Sequence, residues 1–119
     1  MMSSVSHRRM AREKDLSVVF HALGDQTRRA LLRRLAKRPA MITELARPFA
    51  MSLPAISRHI RVLESAGLLT RTVEGRTHRC SLNARPLEHA EAWLSCYRGF
   101  WEDNLEQLAR YVESSEDRA

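Results

Sequence analysis

The chain has 119 residues and a formal net charge of +6. That length suits one domain with a real core, and no apolar run approaches the roughly 18 residues a membrane span needs. Two cysteines are too few for a disulfide scaffold and the polar N-terminus lacks a secretory core, so the expected location is a reducing cytoplasm.

Charge is uneven along the chain. Residues 1–14 carry four Lys/Arg and one acid, residues 15–83 twelve and five, and residues 84–119 four and eight, for nets of +3, +7 and −4. A cationic middle points to a polyanion partner. Its basic helices lack the large exposed apolar residues that would insert into a membrane surface. With four glycines in all, there is no phosphate-cradling loop, and no nucleophile stands by a base. An enzyme is not expected, and neither is a cofactor.

Residues 1–14 read as a disordered basic arm. From Asp15, the spacing of Leu16, Val19, Phe20 and Leu23 predicts a first helix ended by Gly24. Asp25 is suited to cap a second helix, with Leu31, Leu32 and Leu35 inward and Pro39 beyond its end. Thr43 is the expected cap of a short third helix, TELARPF, with Glu44 in its first turn where the dipole favours a carboxylate.

The segment SLPAISRHIRVLESAGLL, residues 52–69, predicts a fourth helix with marked ends. Ser52 is a good N-cap, Pro54 is tolerated in the first turn, and Gly67 can adopt the left-handed C-terminal conformation. Ile56, Ile60 and Leu63 fall within about 60° of one another at roughly 100° per residue, while Pro54, Arg58 and Arg61 point away. Alone, such a segment is either an ordinary charged surface or a helix that enters a nucleic-acid groove. Its place after a short helix and a tight link is the helix-turn-helix arrangement.

After Gly67 the period becomes two. Leu69 to Val73 and Arg76 to Leu82 flank Glu74-Gly75 and predict a β-hairpin with a cationic tip bearing Arg71, Arg76 and Arg79. Placed here it would be a wing able to reach phosphates. Cys80 shares a face with Leu82 and should pack inward. A single long helix is then expected from Leu87 to Val112, about 39 Å at 1.5 Å per residue. Leu94, Tyr97, Trp101 and Leu105 continue its apolar stripe and Trp93 widens it, more than a small domain can cover. A second copy of the chain is the expected cover, with Leu16, Val19 and Phe20 of the first helix alongside.

The ordered combination LGDQTRR, SRHIRVLESAGL and GRTHRCSL resembles the ArsR/SmtB family of bacterial winged-helix transcriptional repressors. The likeness is strong from Phe20 to Leu82 and looser over the final helix. It implies a mainly α fold with a small β-hairpin, dimerising through first and last helices and blocking transcription at an inverted repeat of double-stranded DNA. Domain organisation is then expected as an arm (1–14), a winged helix-turn-helix (15–83), a dimerisation helix (84–113) and a disordered tail (114–119).

Matched to that family's recognition helix, Ser57, Arg58 and His59 fall on its S-x-H segment and Arg61 follows. Ser52, Pro54 and Ala55 lie at the groove-entering start. Arginine can bond bidentately to guanine, Ser or His can make a single bond, and Ala55 can touch a thymine methyl. For His59, at the margin of the apolar face, packing between helices is the alternative. Arg71 and Arg76 are expected at phosphates.

The sensing chemistry departs from the family. Many members hold metal or metalloid through a cysteine pair in the third helix, where this chain reads ELARP. The last helix has one histidine, His89, short of the four or so ligands a tetrahedral site needs. No metal is therefore expected, and no effector follows from the residues. A metal- or thiol-responsive repressor and a nonspecific architectural DNA binder stay open as alternatives.

Overall fold

A computed structural model describes residues 15–117 of the chain, so the arm expected over 1–14 lies outside the described residues. Helix α1 occupies residues 15–23. It is followed by α2 (Gln26–Lys37), β1 (Ala40–Met41), α3 (Ile42–Ala46), α4 (Leu53–Ser65), β2 (Leu69–Glu74), β3 (Thr77–Leu82), α5 (Arg85–Ser95) and α6 (Arg98–Asp117). Among the described residues no helix is long and apolar enough to cross a membrane.

The caps are those the sequence predicts at α2 and α4. Asp25 Oδ2 accepts from the Arg28 amide at 3.0 Å, and Ser52 Oγ accepts from the Ala55 amide at 3.3 Å. Gly67 has φ of +77°. Its amide donates to Glu64 O and that of Leu68 to Leu63 O, each at 3.0 Å, which closes α4 as a Schellman motif. A β-carbon at position 67 would be strained in that conformation.

One face of each helix from α1 to α5 supplies the core, while α6 adds nothing to it. Leu31, Leu32 and Leu35 of α2 meet Ile56, Ile60 and Leu63 of α4, with Leu45, Leu68, Leu69 and Cys80 sealing the sheet side. Ile60 is fully buried, so Ile60→Ala should cost about 2–5 kcal/mol through lost transfer energy and the cavity left behind. This core holds α4 by its apolar side alone, leaving the opposite side to solvent.

The sheet has three antiparallel strands, ordered β1-β3-β2, rather than a bare hairpin. Ala40 pairs with Cys80 and Met41 with Arg79. That pairing carries the chain directly into α3, whose N-cap position is Met41; Thr43 falls inside the helix and caps nothing. Helix α3 also ends early, at Ala46, because Pro48 has no amide to extend the ladder. Gly75, at φ of +61°, makes the hairpin turn.

The expected single C-terminal helix is two. Between α5 and α6 the Cys96 and Tyr97 amides reach only to Trp93 O and Leu94 O, three residues back, at 3.2 and 3.0 Å. Ser95 Oγ also donates to Ala92 O at 2.7 Å. Side-chain competition for a helical carbonyl and a tightened turn end α5, and Gly99 offers no propensity to bridge the break. Helix α6 then runs on to Asp117, five residues past the expected end at Val112 and into the segment expected as a disordered tail (114–119).

Candidate nucleic-acid interface

The outer side of α4 carries the residues the sequence assigns to DNA. Ser52, Pro54, Arg58 and Arg61 are exposed, and Ala55 and Ser57 are half-buried at its edge. The buried Ile56 and Ile60 lie on the other side, so the helix presents these groups from a rigid anchor. Ion pairs among the described residues join Arg34 to Glu44, Arg71 to Glu64, Arg98 to Glu91 and Arg110 to Glu106, and the His59 ring lies close to Asp25. Arg58, Arg61 and Arg76 are in none of them. Three unneutralised guanidinium groups therefore stand on α4 and the wing tip, where a phosphate-rich partner would meet them.

His59 and Arg71 are turned elsewhere. The His59 ring is one-fifth exposed, with Nδ1 at 3.2 Å from Arg28 Nη1 and 3.7 Å from Asp25 Oδ2. A guanidinium only donates, so Nδ1 accepts and the neutral ring carries its proton on Nε2. The same Arg28 side chain donates from Nε to Ala22 O at 2.7 Å and from Nη2 to His21 O at 3.0 Å. One side chain thus joins the end of α1, the start of α2 and the middle of α4. Of the two readings open for His59, helix packing describes its Nδ1 side. The backbone amide of Arg28 is the main cause holding the Asp25 carboxyl below its ordinary range, opposed by burial and assisted by the Arg28 charge.

Arg71 does not sit at a solvated tip. It pairs with Cys80 in the hairpin, and directly opposed residues share a face, so both point inward. Its Nε lies 3.4 Å from Glu64 Oε2 near the end of α4, which fastens the wing to the recognition helix. Cys80 is fully buried, and burial pushes its thiol pKa up. Arg76 and Arg79 remain exposed on the wing.

Several participants carry no local signal. Thr43, Leu53, Thr77 and His78 line a cleft with Ser57, Arg71 and Arg76, and β1 is too short to announce itself. Arg28 and His59 are 31 residues apart in sequence. The LGDQTRR segment marks Arg28 as part of a motif without revealing its partner.

The second surface is apolar. Trp93, Leu94 and Tyr97 of α5 and its end, and Trp101 and Leu105 of α6, are all exposed, and Phe100, Leu108, Tyr111 and Val112 extend the area. Trp93 packs edge-on against Phe20 at 5.5 Å between ring centroids and against Tyr97 at 5.2 Å, making α1 and α5 one continuous face. Leu16 and Phe20 lie half-buried at that face. Val19, assigned to the same surface from sequence, is 3% exposed and belongs to the protomer's own core. Cys96 is exposed beside this face, and His89 is exposed on α5. Among the described residues no three His, Cys, Asp or Glu side chains gather as a metal cluster.

Comparison with known proteins agrees with the geometry. Residues 23–72, from the end of α1 to the middle of β2, match a family model described as a helix-turn-helix domain. The chain is 35% identical over 98 residues to the HTH-type transcriptional regulator Rv2034 of Mycobacterium tuberculosis, covering 82% of this chain and 89% of that one. It is 32% identical over 76 residues to the transcriptional repressor SdpR of Bacillus subtilis, covering 64% and 84%. A crystal structure of an ArsR family transcriptional regulator superposes with a TM-score of 0.71 at 41% identity, over 76% of this chain and 93% of the other. With a recognition helix anchored on isoleucines, a wing behind it and these relatives, the chain belongs to the ArsR family of winged helix-turn-helix transcriptional regulators.

Proposed function

We propose that this regulator is a homodimeric repressor that reads an inverted-repeat operator, each protomer placing α4 in a major groove and its wing against the adjacent backbone. The observation that carries the reading is the set of unpaired cations, Arg58 and Arg61 on the outer side of α4 with Arg76 on the wing. Ser52, Pro54, Ala55 and Ser57 occupy the same end and edge of that helix, where base contacts are made in such motifs. Repression is supported by the likeness to a protein named as a transcriptional repressor.

Dimerisation is supported by the α1, α5 and α6 face. Soluble monomers rarely leave a contiguous apolar patch of more than a few hundred Å² in water. A two-fold partner would cover Leu16, Phe20, Trp93, Leu94, Tyr97, Trp101 and Leu105 and set two recognition helices about one turn of DNA apart. Control without a metal rests on the sulfur-free ELARP stretch at and just past the end of α3 and the lone His89 of α5. Cytoplasmic residence follows from this role.

A competition titration tests the whole. Operator duplex from upstream of the gene should bind roughly 10³-fold or more tightly than random duplex of the same length. Equal affinities would leave a nonspecific architectural protein. Because Cys96 is exposed, oxidant is added in one arm and Zn(II) in another; release of operator by either would replace the metal-free reading with a thiol- or metal-responsive one.

A further inference from the structure

Where α1 and α5 begin and α4 ends, the three helices leave a cleft of about 260 Å³. Leu16, Val18, Val19 and Pro86 give it an apolar wall, and Asp15, Arg85 and His89 also line it. Among the described residues none of these three polar side chains enters an ion pair. Asp15 comes from α1, while Arg85 and His89, four residues apart, are neighbours on one side of α5. Charges of opposite sign thus reach the cleft from two different helices.

Asn83, a further lining residue, joins the cleft to the recognition helix. Its Nδ2 donates to Gly67 O at 2.8 Å and its amide to Leu68 O at 2.9 Å, while its Oδ1 accepts from the Arg85 amide at 3.4 Å. One side chain therefore ties the left-handed turn that ends α4 to the first turn of α5.

We propose that this cleft is an effector site for a free amino acid with an apolar side chain, and that its occupancy weakens operator binding. The proposal rests on the repressor reading given above. Size limits the ligand: the cleft falls below the roughly 300–1,000 Å³ of sites that take drug-sized molecules, which leaves a small metabolite. Charge selects its two ends. The Asp15 carboxylate only accepts and suits an ammonium; the Arg85 guanidinium is a planar fork for a carboxylate, with the His89 ring beside it. The apolar wall takes the side chain. A ligand that bridges Asp15 and Arg85 draws α1 toward α5, and Asn83 passes the movement of Arg85 to the end of α4. An effector acts only by binding one state better than another, and here the drawn-together state is the one with the misplaced recognition helix.

The test uses full-length protein with L-valine, L-leucine and L-phenylalanine as probes. Saturable shifts of the His89 ring and of the Asn83 and Gly67 amides are expected by NMR, and operator affinity should fall about tenfold at saturation, within the usual range of such couplings. N-acetyl-L-leucine lacks the ammonium and L-leucinamide the carboxylate; each should bind about tenfold more weakly than L-leucine, as loss of a charge-assisted contact implies. Asp15→Asn should lose the preference over N-acetyl-L-leucine, and Arg85→Gln the preference over L-leucinamide. Both side chains are exposed, so thermal melts of the two variants should match wild type.

Absence of saturable shifts with all the amino acids at millimolar concentration would overturn the proposal. So would binding of N-acetyl-L-leucine or L-leucinamide as tight as that of L-leucine, or binding that Asp15→Asn and Arg85→Gln leave unchanged. Saturable binding with no change in operator affinity would leave a ligand site without regulation and overturn its role as an effector site. Should the protein show no operator preference even without a ligand, the repressor reading itself falls, an outcome distinct from each of these because the NMR shifts are read without DNA.

Discussion

Arg28 Nη1 donates to His59 Nδ1 across 3.2 Å, tying the start of α2 to the middle of the recognition helix. Because Arg28 also donates to the Ala22 and His21 carbonyls, it occupies the otherwise unpaired C-terminal end of α1. The helix that shares the proposed dimer face is thereby tied to the helix proposed to read DNA. Arg28→Ala should lower stability by about 1–3 kcal/mol in a urea titration, since it strips partners from two carbonyls and a ring nitrogen. Combined with His59→Ala, the two losses should fall short of their sum by at least about 0.5 kcal/mol. Strict additivity would mean the two side chains do not cooperate.

Asp25 gives an acid-side signature. Its folded pKa is lowered, first by the Arg28 amide, so the carboxylate contributes stability above its unfolded value, and this is lost as pH falls through the folded value. Asp25→Asn keeps an N-cap and should flatten the stability profile between roughly pH 2 and 5 while changing little at neutral pH. Asp25→Ala should cost about 1 kcal/mol at neutral pH. An asparagine variant whose acid limb matches wild type would assign that limb to other carboxylates.

Arg58 and Arg76 should behave differently on DNA. If Arg58 reads a base, Arg58→Ala costs on the order of 1–3 kcal/mol and relaxes preference at one position of each half-site. Arg76→Ala should weaken all sequences alike and reduce the salt slope by about one. Anisotropy titrations over a panel of single-base operator variants at several salt concentrations distinguish the two. Uniform loss in both variants would remove the division between reader and wing.

Trp101 is 63% exposed on a helix from which no described side chain is buried, so Trp101→Ala should leave the protomer's melting behaviour intact. Dimer affinity should fall by about 2 kcal/mol or more if Trp101 is an anchor, and operator affinity with it. Sedimentation equilibrium decides; a variant that dimerises as tightly as wild type would relocate the interface.

Periodicity made the core legible. Leu31, Leu32 and Leu35, Ile56, Ile60 and Leu63, and the inward face of Cys80 and Leu82 all follow from spacings of 3.6 or 2, a signal set by burial within one element. Local chemistry also announced the N-caps Asp25 and Ser52 and the turn at Gly67, but misplaced the start of α3 at Thr43. What escaped depends on distant partners. A two-residue strand has no period, and only its pairing with Arg79 and Cys80 defines β1. Apolar spacing runs unbroken past Cys96, so the break between α5 and α6, set by the turn around Ala92 to Tyr97, left no trace in the pattern. In the site, the exposed cations were readable as composition on a helix face. The turning of Arg71 toward Glu64 and of His59 toward Arg28 was not, because hairpin register and helix packing decide it.

Hydroxyl-radical footprinting of the protein on DNA upstream of its own gene bears most directly on the reading of α4 as a recognition helix in a two-fold dimer. Two symmetric protected half-sites are expected, centred about one helical turn apart, roughly 10 base pairs, over an inverted repeat, and lost together in Arg58→Ala/Arg61→Ala. Protection spread evenly along the duplex, or a single unrepeated site unaffected by that double substitution, would contradict it.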